Sequence, residues 1–134
     1  MKNIIILRGS ANAGKSTVAN LFPEPKVICC ADDYFTDEDG NYNFNPSLLG
    51  AAHSQCREKF DNALEDDTIK TVVVANTNTQ LKEFKHYFDA AKEGGHVVFS
   101  LVVERRHEND NNHNVPEEAI LRQANNIRDS LQLI

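Results

Sequence analysis

The chain has 134 residues, 40% of them hydrophobic and 25% charged, with a formal net charge of −6, the make-up of one ordinary globular domain with a single core over 1–134. That acid excess argues against a broad electrostatic grip on duplex nucleic acid, while leaving room for a local basic patch that holds a strand end. No apolar run is long enough for a bilayer, Met1 and Lys2 lead straight into a strand with no targeting peptide, and the three cysteines, two of them adjacent in an apolar run, suit free thiols in a reducing compartment, so the expected protein is cytoplasmic with no membrane partner.

Four short runs rich in Val and Ile, 2–7, 27–30, 71–75 and 97–103, read as strands and alternate with helical patterns, which predicts an α/β fold with a parallel sheet covered by helices. The first runs into Gly9, Ser10, Ala11, Asn12, Ala13, Gly14, Lys15, Ser16 and Thr17, the pattern G-x-x-x-x-G-K-[ST] set between a strand and a helix. Its two glycines let the backbone curl until successive N–H groups converge on a polyphosphate; Lys15 neutralises the outer phosphates and the Ser16 hydroxyl ligates Mg²⁺. The helix predicted over 16–22 adds the positive end of its dipole and stops at Pro23 and Pro25. A nucleoside triphosphate is the implied ligand.

The second strand ends in Ala31, Asp32, Asp33, Tyr34 and Phe35. Paired carboxylates beside the phosphate loop, Asp32 and Asp33, have the oxygens to take a proton from an acceptor hydroxyl and to support Mg²⁺, with Asp33 the metal candidate; a plain turn or helix cap is the structural alternative. Asp39 and Gly40 turn an acidic loop, which is no calcium loop, because Phe35 and Pro46 stand where that pattern needs acids. Tyr34, Phe35, Tyr42 and Phe44 either stack a base of the acceptor or pin this loop to the body, and pinning needs no ligand. Asn45 caps a helix that begins at Pro46 and turns Leu49, Ala52, Cys56, Phe60, Ala63 and Leu64 inward. His53 sits beside that face and Arg57 one turn on; both are candidates to meet the acceptor, against a packed histidine and a solvated arginine.

After the third strand come Asn76, Thr77, Asn78 and Thr79. Asn76 and Asn78 are candidates to hydrogen-bond a phosphate or a metal-bound water, bringing no charge, and Thr79 is expected to cap a helix that buries Leu81, Phe84, Phe88 and Ala91 and ends at Gly94 and Gly95. The polar run 104–114 follows the fourth strand and, in a parallel sheet, emerges on the ligand side. It suits a lid over the phosphates at about 104–115, with Arg106 on the transferring group and Arg105 second. His107 and His113 lack metal-ligand partners. A last helix starts at Pro116 and buries Ile120, Ala124, Ile127 and Leu131.

In this order, the phosphate loop, Asp32-Asp33-Tyr34-Phe35, Asp39-Gly40-Asn41-Tyr42-Asn43-Phe44-Asn45-Pro46, Ala52-His53, Asn76-Thr77-Asn78 and His113-Asn114-Val115-Pro116 with Glu118 and Ile120 resemble the P-loop polynucleotide 5′-hydroxyl kinase family, bacteriophage enzymes and compact ATP-binding relatives among its members. The resemblance covers nearly the whole chain. It implies a P-loop kinase fold with a four-stranded parallel sheet in order 2-3-1-4 and helices on both faces. It also implies ATP and Mg²⁺, and transfer of the γ-phosphate to a 5′-hydroxyl of DNA or RNA, with single-stranded 5′ ends as partner. Residue by residue, it implies Lys15 and Ser16 as phosphate and metal ligands, Asp32 as general base and Arg106 as a lid arginine. Ala31 and Phe35 flank the aspartates where the family has arginines for the acceptor strand's phosphate; Asn76 replaces an aspartate and Asp110 a second lid arginine. Two other readings stay open. Missing arginines and the acidic charge favour a kinase of a small hydroxylated molecule, a nucleoside or metabolite; the uncharged Asn76 favours a non-catalytic nucleotide-binding module.

Overall fold

A computed structural model describes residues 1–108 and 114–133. Strands β1 (Asn3–Arg8), β2 (Lys26–Cys29), β3 (Thr71–Val74) and β4 (Val97–Val102) form one sheet in the order β2-β3-β1-β4. All three pairings are parallel, with Ile4 opposite Val72 and Val98, and Val27 opposite Val72. Between them run helices α1 (Lys15–Asn20), α2 (Leu49–Glu65) and α3 (Leu81–Glu93), and α4 (Glu117–Ser130) follows β4.

The strands are almost wholly apolar because the central ones are covered on both faces. Ile4, Ile6, Cys29, Val72 and Val74 pack with Ala52, Cys56 and Phe60 of α2 and Phe84, Tyr87 and Ala91 of α3. The alternate residues Ile5, Leu7, Val73 and Ala75 meet Ala19, with Val18 and Phe22 against them. Phe60 is fully buried and meets the Tyr87 ring edge-on at 5.0 Å. Phe60→Ala is expected to cost about 3–5 kcal/mol, a large share of the roughly 5–15 kcal/mol that holds a domain of this size together. Urea melts of the two proteins read it, and a loss under 1 kcal/mol would mean that α2 and α3 close the hole.

Several local expectations shift. The helix after the phosphate loop ends at Asn20, short of the expected 22. Asn45 does cap, accepting from Ser47 N at 3.0 Å, but a 3₁₀ turn at Pro46–Leu48 precedes α2. Gln80, not Thr79, takes the N-cap position of α3: its backbone carbonyl accepts from Glu83 N at 2.9 Å, and the Glu83 carboxylate accepts from Gln80 N at 2.8 Å, while the Thr79 hydroxyl also donates to that carboxylate. Leu49, Leu81 and Leu131, read as inward, are 41%, 56% and 43% exposed. The first two occupy the opening turns of helices whose N-termini overhang the sheet edge, and Leu131 follows the last residue of α4. Cys29, Cys30 and Cys56 are all free thiols. Among the described residues, no helix is long and apolar enough to cross a membrane.

Candidate functional site

Parallel pairing in this register brings the C-terminal ends of the four strands to one edge, so every loop that follows a strand opens there. Those loops and α2 border a cleft of about 1100 Å³, lined by the phosphate loop and by Asp32, Tyr42, Phe44, Leu49 and His53.

The phosphate loop is held open by its glycines. Gly14 adopts φ +109°, a conformation that side chains rarely take, and a Cβ on Gly9 would lie 3.0 Å from the Val103 carbonyl oxygen. Gly9 N donates to Thr77 O at 3.0 Å, tying the loop to the segment after β3. Lys15 Nζ donates to the carbonyl oxygens of Gly9 and Ser10, at 3.0 and 2.9 Å, so the ammonium is curled into the loop that phosphates would fill. Burial pulls its pKa from 10.5 down to about 8, against the opposing pull of Cys30 and Asp32. Two pH effects of opposite sign follow. Without ligand, the unfolded chain keeps the Lys15 proton to higher pH than the folded one, so this group's contribution to stability rises from about pH 8 to 10.5. Triphosphate, by contrast, needs the protonated lysine, so its affinity is expected to fall as pH rises through about 8, and binding above that pH takes up a proton. Titration calorimetry at pH 8.5 in two buffers of different ionisation enthalpy measures that uptake, and equal apparent enthalpies would refute it.

Side chains distant in sequence brace the same loop. Gln123 of α4 accepts from Ala11 N at 2.8 Å, and His107 Nε2 lies 3.2 Å from the Ala13 carbonyl oxygen. Nothing local to either residue signals this role, because each contact spans more than ninety positions. Arg106 lines the cleft and pairs with Glu104 at its exposed mouth; Arg105 instead borders a separate hollow of about 400 Å³ beside Val115 and Ile120. Residues 109–113 of the expected lid, Asp110 and His113 among them, lie outside the described residues.

Of the aspartate pair, Asp32 alone lines the cleft. The Tyr42 hydroxyl donates to its Oδ1 at 3.3 Å, and burial, with the charge of Asp32 second, pushes the phenol up to about 12, so Tyr42 keeps its proton across the ordinary pH range. Asp33, expected beside the metal, is off the cleft: the residue is largely exposed, and partial burial of its carboxyl raises its pKa against the pull of Lys59 of α2. A 3₁₀ turn over Ala31–Phe35 accounts for this, since it sends consecutive side chains in different directions. Asn76 borders the cleft with its amide already engaged, accepting from Ala31 N at 2.8 Å and donating to Cys56 Sγ at 3.5 Å. Asn78 has φ 46° and is 1% exposed; it donates to Leu7 O at 2.7 Å, below the loop and off the cleft. Arg8 supports that segment from the sheet, donating to Asn78 O at 2.8 Å while lying over the Phe84 ring. His53 lines the cleft; Arg57, a turn further, does not.

The aromatic residues divide between two roles. Phe35 is buried in the larger core, with Tyr42 packed against that core, and Asn43 N donates to Phe35 O at 2.8 Å, pinning the acidic loop. Asp37 organises its turn by accepting from Asp39 N and Asn41 N, both at 2.9 Å. Phe44 stands apart from the core, 49% exposed on the cleft wall.

Ser16 reaches the cleft. Its alcohol, completed by phosphate oxygens and water, suits Mg²⁺, which binds few protein ligands and keeps much of its water. Ser16 would hold it, whereas Asp33, the other expected metal residue, is off the cleft.

No protein-family model matches the chain. Among solved structures, it is similar to a chain of the Pnkp1/Rnl/Hen1 RNA repair complex, with TM-score 0.71, 19% identity, 96% of this chain and 45% of that one covered. A further structure of a Pnkp1/Rnl/Hen1 complex matches at TM-score 0.60 and 18% identity over 90% of this chain and 38% of the other. The chain thus spans less than half of those two proteins. A mutant of the APS kinase CysC of Mycobacterium tuberculosis matches at TM-score 0.55 and 16% identity, over 96% of this chain and 95% of that one. With the sheet order β2-β3-β1-β4 and a phosphate loop leading into α1, the chain has the P-loop kinase fold.

Proposed function

We propose that this chain is an ATP-dependent phosphotransferase that phosphorylates the 5′-hydroxyl of a polynucleotide, DNA or RNA. The observation that carries the reading is that a phosphate loop with its lysine and an aspartate buttressed by a tyrosine face one cleft. The RNA repair complex that holds one similar chain supports a nucleic-acid acceptor.

In this mechanism Lys15 and the loop amides hold the β- and γ-phosphates, displacing the ammonium from the Gly9 and Ser10 carbonyls. Ser16 would hold Mg²⁺, which would supply positive charge to the phosphate oxygens. Asp32 accepts the acceptor's proton as the hydroxyl oxygen forms its bond to the γ-phosphorus; the bond from that phosphorus to the β–γ bridging oxygen breaks, and ADP leaves. Tyr42 fixes the direction of the Asp32 carboxylate. Arg106 leaves Glu104 to stabilise the transferring group.

A second reading, a small hydroxylated acceptor such as a nucleoside, is favoured by the acceptor side of the cleft, where the described lining includes no lysine or arginine. Both readings are tested by γ-labelled ATP, Mg²⁺, and oligonucleotides or nucleosides bearing 5′-hydroxyls. Label on the strand's 5′ end supports the first, label on nucleoside alone the second, and label on neither, with triphosphate bound, favours a metabolite acceptor or a non-catalytic nucleotide-binding module.

A further inference from the structure

We infer that Phe44, flanked by Leu49 and His53, is a nucleobase shelf, and that the acceptor is recognised by the base of the nucleoside carrying the reacting hydroxyl rather than by its phosphates. This deepens the phosphotransferase reading and rests on it for the identity of the reacting group.

Phe44 and Leu49 are 49% and 41% exposed, an apolar pair lining the same cleft as Asp32 and the phosphate loop. Phe35, buried, and Tyr42, half-buried, join the acidic loop to the core, whereas Phe44 is half exposed at the cleft. Its neighbours nevertheless fix its pose: Phe35 meets it edge-on at 5.1 Å, and Tyr42 lies nearly parallel, planes 11° apart and centroids 6.4 Å apart. Tyr42 in turn donates to Asp32. A base on Phe44 is therefore linked to the carboxylate through Tyr42, along the same lining of the cleft. His53 adds a hydrogen-bonding edge to the wall, and among the described lining residues the lysine and the arginine, Lys15 and Arg106, stand on the phosphate-loop and lid sides. Stacking tolerates any base, whereas a phosphate grip would need a cation on this wall. The shared chemistry is a nucleoside with a free 5′-hydroxyl, from a strand end or in free form.

The test compares Phe44→Ala and Phe44→Leu with the unaltered protein. Ring removal is expected to weaken a 5′-hydroxyl acceptor roughly tenfold or more, read both as KM in transfer and as the dissociation constant of a 5′-hydroxyl oligonucleotide or nucleoside in calorimetry with a non-hydrolysable ATP analogue present. ATP-analogue affinity is the control for the phosphate loop, and Phe44→Leu keeps bulk against Phe35 if the alanine variant unfolds. An oligonucleotide with an abasic 5′ residue should bind as weakly to the unaltered protein as the intact strand does to Phe44→Leu, and acceptor binding should change less than twofold between 50 and 200 mM salt. Equal binding of abasic and intact ends, or no effect of either substitution, overturns the inference. Nucleoside binding that Phe44 controls, without any transfer, keeps the shelf and removes the phosphotransferase reading instead. Comparing free nucleoside with strand end identifies the source.

Discussion

Asp32→Asn is expected to lower transfer by about 10²- to 10⁴-fold, the usual contribution of a positioned base, while triphosphate binding stays near that of the unaltered protein. Asparagine is nearly isosteric, and its Oδ1 still accepts from Tyr42, so the wall of the cleft keeps its shape. What disappears is the acceptor for the proton. The charge of Asp32 also helps to hold the Lys15 proton against desolvation, so the comparison belongs at pH 7, below the pKa of about 8 from which the variant's lysine shifts further down. Single-turnover transfer separates the chemical step from release. Retained turnover would remove Asp32 as the base, and lost ATP affinity would show that its main work is electrostatic support of Lys15.

Lys15→Met is expected to weaken triphosphate binding by about 10- to 150-fold, the equivalent of a charge-assisted hydrogen bond worth roughly 1.5–3 kcal/mol, and to lower turnover by a further 10²- to 10³-fold by removing positive charge from the transferring group. Stability should move the other way. The depressed pKa means that the folded state holds this ammonium at a cost, so the ligand-free variant should melt no lower than the unaltered protein. A drop in melting temperature instead would assign Lys15 to the architecture, through its bonds to the Gly9 and Ser10 carbonyls.

Much of the fold was legible because each strand is an unbroken apolar run with a helical pattern after it, and the sheet order came with the family resemblance. The ends of elements were less legible. Thr79 has the chemistry of a cap, yet Gln80 takes that position because the Glu83 carboxylate is within reach of both. Tyr87, 2% exposed, is a core residue that the helical pattern passed over, since its polar hydroxyl made it look like surface while its ring fills the space beside Phe60.

For the site, the sequence alone determined the anion-binding loop, the two-acid strand end and the parallel sheet that unites them. These are local properties: glycine spacing sets the curl of a backbone, and apolar periodicity sets which elements form. Only the tertiary structure put Asp32 on the cleft and Asp33 off it, placed Asn78 off the cleft and Phe44 on it, and brought Gln123 and His107 to the phosphate loop. The direction of a side chain on a tight turn depends on which neighbouring element covers it, and contacts across ninety or more residues are set by sheet order and register, which leave no mark on the residues themselves.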